Sequence, residues 1–217
     1  MSFEVARTAS VPPDRLAGWV ERFSNRHGTV SIECEPDAVL LHAEDGAQAR
    51  LVNRWQPLPS GPVTIPEVVA HLTRPRTVGL LLVRRGADAV GVADGGELVA
   101  HRVSRHYVQG RTKAGGWSQQ RYARRRQNQA RTAYQQAADD AFEVIVPQLP
   151  TLSALVTGGD RQGLAEVLAD RRLEALARLP QRHPVLPVPD ARLAVLTDAV
   201  AAARAIPIEL NAEAVTG

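Results

Sequence analysis

Gly115-Gly116-Trp117-Ser118-Gln119-Gln120 is the stretch of this chain whose residue types and spacing could do chemistry. Two adjacent glycines give the backbone dihedrals and close approaches that side chains forbid. A glutamine adds a side-chain amide, both donor and acceptor, to its own N–H. Such a loop can orient a water molecule and hold a developing oxyanion, but it contains no strong base. The chemistry it suits is therefore intrinsically easy, as in hydrolysis of an activated ester, where one oxyanion donor is worth a factor of about 10²–10³ in rate. The catalytic candidates are Gly115, Gly116 and Gln119. Gln120 stands at the same distance from Gly116 as Gln119 does from Gly115, so Gln119 is placed first and its neighbour stays open.

Other chemistries find less support. His27, His42, His71, His101, His106 and His183 are scattered, and the single cysteine, Cys34, has no partner at ligand spacing, so no metal is expected. Gly110 to Gly115 has the glycine spacing of a phosphate-binding loop, but Gly116-Trp117 stands where Lys and Ser or Thr are required. There is no Gly-x-Ser-x-Gly elbow, and the loop holds no carboxylate for acid–base work. No cofactor is expected. Cys34 lies in Val30-Ser31-Ile32-Glu33-Cys34, which alternates like a strand, and is read as a packed thiol without a catalytic role.

The formal net charge of +3 hides a sharp local imbalance. Between Glu97 and Asp139 there is no acid, yet the stretch holds Arg102, Arg105, Arg111, Lys113, Arg121, Arg124, Arg125, Arg126 and Arg131. The rest of the chain sets its 17 remaining basic residues against 23 acids and is net negative. A patch this concentrated suits a surface that meets phosphates, because each neutralised phosphate releases counterions. Nucleic acid is the partner it implies. The longest apolar run, Val78 to Val83, is too short to span a bilayer, and the N-terminus carries an early acid and no signal-length apolar stretch. A cytoplasmic protein without membrane contact is expected.

The elements that must position the loop read as two parts in an α/β chain. In the first, residues 1–56, Leu16, Trp19, Val20 and Phe23 fall on one face of a helix from Pro12 to His27. Strand-like runs follow at 29–34, 38–43 and 47–53, giving a small α+β unit. Pro57, Pro59, Gly61 and Pro62 mark a linker over 57–65. The second part, 66–217, opens on a short helix near Glu67 to Leu72, then predicts strands at 78–84, 89–93 and 97–108. The glycine-rich loop 109–117 leads into a long helix over 118–146, with Ser118 suited to its N-cap. That helix is polar and basic to Arg131, then shows an apolar stripe of Ala130, Tyr134, Ala137, Ala141 and Ile145. Its distal half should dock while the proximal half projects. A strand at 153–157, a helix at 162–169, a strand near 173–178 and a helix at 189–204 complete an α/β sandwich around a mixed sheet, with a loose tail after Glu209.

Gly115-Gly116-Trp117-Ser118-Gln119-Gln120-Arg121-Tyr122-Ala123-Arg124-Arg125-Arg126 resembles the catalytic segment of eukaryotic and archaeal peptide-chain release factors, where Gly-Gly-Gln-Ser leads into a helix beginning Arg-Phe-Ala-Arg-x-Arg. The strands over 78–108, with Asp94-Gly95-Gly96 and Arg111-Thr112-Lys113 ahead of the glycines, are similar to that family's middle domain. Trp117 occupies the position of the release-factor glutamine. The resulting pattern, Gly-x-x-x-Gln from Gly115 to Gln119, resembles the Vms-like release-factor branch, most closely its actinobacterial members. The resemblance implies a peptidyl-tRNA hydrolase that frees nascent peptides from stalled 50S subunits, with Gln119 positioning water and donating to the oxyanion. It further implies that Arg111, Lys113, Arg121, Arg124, Arg125 and Arg126 contact rRNA or tRNA phosphates. Trp117 then stacks on a base or caps the helix, and Tyr122 packs. A monomer is expected, since the loop must enter a confined site. The rival readings are a non-catalytic ribosome- or RNA-binding rescue factor and a nuclease acting at the tRNA 3′ end; the second lacks an evident base in the loop.

Overall fold

The computed structural model describes residues 3–58, 61–106, 118–181 and 183–216, and for 118–127 the backbone alone. The chain divides into two compact units, Met1–Pro75 with Arg204–Gly217, and Arg76–Ala203.

The first unit is a five-stranded antiparallel sheet. Its strands are β1 (Arg7–Val11), β2 (Val30–Cys34), β3 (Ala38–Ala43), β4 (Gln48–Val52) and β9 (Ile206–Leu210), in the order β1-β9-β4-β3-β2. Helix α1 (Pro13–His27) begins with a proline, whose fixed φ suits a first turn, and buries Leu16, Val20, Phe23 and His27 along one face. Helix α2 (Ile65–Thr73) adds Val68 and Leu72, spaced by four, to the same core.

The second unit carries the mixed sheet of an α/β fold. Its strands are β5 (Thr77–Arg84), β6 (Ala87–Asp94), β7 (Glu97–Arg105) and β8 (Ala154–Gly159), in the order β7-β6-β5-β8. The β5–β8 pair is parallel and the others antiparallel. Between β7 and β8 runs helix α3 (Ser118–Val144), and after β8 come α4 (Arg161–Leu168), α5 (Glu174–Ala177) and α6 (Leu193–Arg204). Strands β5 and β6 are buried along almost their whole length, which requires cover on both faces. Leu81, Val83, Val90 and Val92 meet Ala137, Ala138, Ala141 and Ile145 from α3 and Leu164 and Val167 from α4. On the opposite face α6 sits close, since a Cβ at Gly91 would lie 3.1 Å from Leu196 Cδ2.

Several sequence expectations change. The proline-rich stretch at 57–65 is not where the units divide, because α2 completes the core under α1 and stays with the first unit. The strand expected near 173–178 is a 3₁₀ turn, Arg171–Leu173, followed by α5; Leu173 and Leu176, one helical turn apart, are both fully buried. The helix expected from 189 begins at Leu193. The tail after Glu209 is ordered. It ends β9 and forms α7 (Ala212–Thr216), and Asn211 joins them: its Oδ1 accepts from the N–H groups of Gln48 (2.9 Å) and Ala214 (3.1 Å), while its amide donates to the Gly46 carbonyl at 3.0 Å. Strand β1 is an unforeseen edge strand of which only Val11 is buried. Cys34, expected to be packed, is exposed at the end of edge strand β2, and its slight burial pushes the thiol upward.

Candidate functional site

Strand β7 delivers the chain to the glycine-rich segment and α3 receives it, so these two elements determine where the segment can go. Arg111, Lys113, Gly115, Gly116 and Trp117 lie outside the described residues. Gln119, Gln120, Arg121, Arg124, Arg125 and Arg126 fall on the first turns of α3, described there as backbone only. Positions 121, 124 and 125 are neighbours on one helix face, being three and four apart.

The distal half of α3 is fastened to the unit in two ways. Ala133, Tyr134, Ala137, Ala138 and Ala141 are each at most 8% exposed, and small alanines let the helix lie close on β6. The approach to α4 is closer still: a Cβ at Gly163 would sit 2.7 Å from Tyr134 Cε1, so only glycine fits. Tyr134 donates its hydroxyl to Asp160 Oδ2 at 3.2 Å, and burial, reinforced by the Asp160 charge, raises its pKa. At the surface Arg172 Nη2 donates to Asp139 Oδ1 at 2.6 Å, with its guanidinium 5.3 Å from the centre of the Phe142 ring.

The second fastening is polar and ties both arms of the segment together. Asp140 of α3 is 1% exposed. It accepts from the Ser104 hydroxyl, from Arg102 Nη1 at 3.1 Å and from Gln136 Nε2 at 3.3 Å. Burial pushes its carboxyl upward, but these bonds win and hold it below the ordinary value. Arg102 also donates to Glu143 Oε2 at 2.6 Å. Beside it Asp88 of β6, likewise 1% exposed, bonds His106 Nε2 through Oδ1 at 2.6 Å, while Oδ2 has no donor among the described residues. Burial is the main reason its carboxyl is pushed up to about 6; the His106 bond opposes this and the Asp140 charge adds to it. Two carboxyls this close in a dry site favour one proton between them. Arg102, Ser104 and His106 come from the end of β7, and Gln136, Asp140 and Glu143 from α3. The cluster therefore clamps the root of the incoming strand to the outgoing helix across β6.

Sequence reasoning missed this cluster, although it left a signal. Asp88 is the only charged residue inside the apolar run Ala87–Ala93, and Asp140 falls within the apolar stripe of α3. A lone acid on a buried face needs a partner. His106 was weighed only as a metal ligand; among the described residues no group of His, Cys, Asp and Glu is arranged to hold a metal ion. No helix among them is long and apolar enough to cross a membrane.

Residues 76–209 match the family model described as Actinobacteria/chloroflexi VLRF1 release factor. The match starts where the second unit starts and runs on through most of β9. Among solved structures, the chain is similar to the archaeal translation termination factor aRF1, at 14% identity and a TM-score of 0.43, covering 88% of this chain and 62% of that one. It is also similar to a structure described as an archaeal protein, at 14% identity and a TM-score of 0.38, with the same coverages. The chain thus spans less than two thirds of the length of either. No curated protein matches.

Proposed function

Since the chain belongs to the Actinobacteria/chloroflexi VLRF1 release-factor family, we propose that it is a peptidyl-tRNA hydrolase acting on stalled 50S ribosomal subunits. The reaction is attack of water on the ester carbonyl between the nascent peptide and the terminal tRNA ribose. The ester C–O bond breaks, the peptide leaves as a carboxylic acid, and the tRNA hydroxyl takes the proton. Gln119 orients the water and donates to the oxyanion, and Gly115 and Gly116 give the loop the slim backbone needed to enter a confined RNA-lined centre. Gln120 is the alternative donor. Arg111, Lys113, Arg121, Arg124, Arg125 and Arg126 meet phosphates of rRNA or tRNA, and Trp117 stacks on a base, a contact typically worth about 1–3 kcal/mol. The protein works as a monomer.

The observation that carries this reading is the composition of the stretch from the end of β7 into the first turns of α3: the paired glycines Gly115 and Gly116, the glutamines Gln119 and Gln120, and cations without one acid from 98 to 138. A phosphodiesterase would need a base there. A loop that only positions water suits an ester that is already activated, and the clamp supports it by tying the end of β7, at Ser104 and His106, to the docked half of α3 and to β6.

Peptide release from stalled 50S–peptidyl-tRNA complexes tests it, with Gln119→Ala and Gln120→Ala compared with the parent chain at matched binding. The glutamine in play should lower release by about 10²–10³ when removed. Release should leave a full-length tRNA, and a shortened tRNA on a gel would instead mean phosphodiester cleavage. Normal binding with no release by the parent chain would overturn the hydrolase and leave a non-catalytic rescue factor.

A further inference from the structure

At the end of the second unit's sheet where β7 leaves for the loop, four arginines from three separate stretches of sequence converge. Arg84 ends β5, Arg85 starts the β5–β6 turn, Arg105 ends β7, and Arg192 precedes α6. With Pro189 and Asp190 they line an open cleft of about 380 Å³. The turn and the strand end are held together there by the His106 N–H, which donates to the Gly86 carbonyl at 2.7 Å. Arg192 is paired with Asp190. Among the described residues, no carboxylate forms an ion pair with Arg84, Arg85 or Arg105, and all three are exposed. Arg105 stands near enough to add to the main effect of Arg192 in holding Asp190 below its ordinary value.

Four guanidinium groups face one carboxylate, Asp190, across the cleft, so the cations outnumber the acid and repel one another, and Arg84, Arg85 and Arg105 pack no core. Such a cluster gains most from an occupant that brings negative charge. Guanidinium forks match the paired oxygens of a phosphodiester. The cleft has the volume of a ligand pocket, about 300–1,000 Å³ in general, but lacks the apolar walls such pockets use. An apolar small molecule is therefore a poor fit. Arg105 also belongs to the stretch from 98 to 138 that contains no acid, the same stretch that holds the loop's cations in sequence.

We infer that this arginine cleft is a second RNA seat, separate from the glycine loop, which grips the phosphodiester backbone of an RNA strand beside the loop's root. The choice of RNA rests on the reading of the chain as a ribosome-acting hydrolase; the cleft's preference for phosphate does not. The bond between the His106 N–H and the Gly86 carbonyl ties the seat to the end of β7, the strand that leads into the loop.

Binding of the full chain to a fluorescein-labelled single-stranded RNA, followed by anisotropy over a salt series, tests the seat without any ester present. The result is therefore independent of hydrolysis. Arg84→Ala/Arg85→Ala/Arg105→Ala should weaken binding tenfold or more at low salt and reduce the slope of log K against log salt by about 2, the share of three single-strand phosphate contacts. The corresponding triple lysine variant keeps the charge; it should retain most of the slope and lose part of the affinity with the bidentate geometry. If the alanine variant fails to fold, the lysine variant still decides, because an affinity equal to the parent's would sink the seat. An unchanged slope in a folded alanine variant would overturn it too. Competition by inorganic phosphate at low millimolar concentration would mean a free-anion site, and competition by poly-glutamate as strong as by RNA would mean an acidic protein surface; either result rejects the RNA assignment.

Discussion

Asp88 is an acid set into the apolar run Ala87–Ala93. Its carboxyl is 1% exposed, one oxygen lacks a donor among the described residues, and its pKa is pushed up to about 6, chiefly by burial. A carboxyl whose folded value exceeds its unfolded one contributes stability that is fully present below the unfolded value, near 3.8, and is lost as pH rises through about 6. Asp140 has the opposite sign: its lowered carboxyl contributes above its unfolded value and loses that contribution as pH falls through the folded one. The two limbs can be separated. Asp88→Asn keeps the shape, supplies a donor toward Asp140 and removes the ionisation, so it should stabilise the second unit by about 1–3 kcal/mol at pH 8, the usual cost of an unsatisfied buried group. The gain should shrink toward pH 4.5, where the parent Asp88 is protonated. Urea unfolding at pH 4.5 and pH 8 measures it, and a gain that does not vary with pH would remove the proton from the account. His106, Asp140, Arg102 and Glu143 all face this network, so His106→Gln serves as the control for loss of the hydrogen bond to Asp88 itself.

Helix α3 joins two regimes that the sequence already separates. Its alanine-rich distal half shows spacings of three and four because it packs on a sheet, and its basic proximal half shows no stripe. Directly after the helix, Ile145 is fully buried, and a Cβ at Gly79 would lie 2.9 Å from its Cγ2, so strand and side chain are already in contact. Ile145→Ala leaves a hole that this rigid strand cannot fill, and should destabilise the second unit by about 2–5 kcal/mol in a denaturant titration. A loss below 1 kcal/mol would mean that the helix end relaxes freely. Elements with strong local periodicity, such as β5, β6, α1 and α3, were legible in the sequence for this same reason. Those defined by distant partners were not. Strand β1, Arg7-Thr8-Ala9-Ser10-Val11, offers one buried residue and gains its identity only by pairing with β9. The site divides in the same way: composition exposes the glycines, glutamines and arginines of the loop, whereas the Asp88–Asp140 clamp depends on a register between β6, β7 and α3 that no local pattern encodes.

Across the whole molecule the chain ends close their own unit. Arg7 pairs with Leu210 and Val11 with Ile206, so β9 lies between β1 and β4 and completes a sheet whose other strands come from residues 7–52. Arg50 strengthens the seam, donating from Nη1 to Glu209 Oε2 at 3.1 Å and from Nε to Glu35 Oε2 at 3.1 Å. Ile206 and Ile208 sit in the same core as Val11, Leu16 and Leu51. Removing the last strand therefore does more than trim a terminus: it strips β1 of its partner, opens the edge of β4 and uncovers that core. Closing contacts across some 200 residues carries a loop-closure cost that grows only slowly with length, so the distance itself is no obstacle once β9 exists. A chain ending at Arg204 should show rapid amide hydrogen exchange throughout α1, α2 and β1–β4. Protection in β5, β6 and α4 should persist, because their core draws nothing from β9. Adding a peptide of residues 204–217 in trans should restore protection in the first unit, and equal protection with and without β9 would show that the sheet stands without its closing strand.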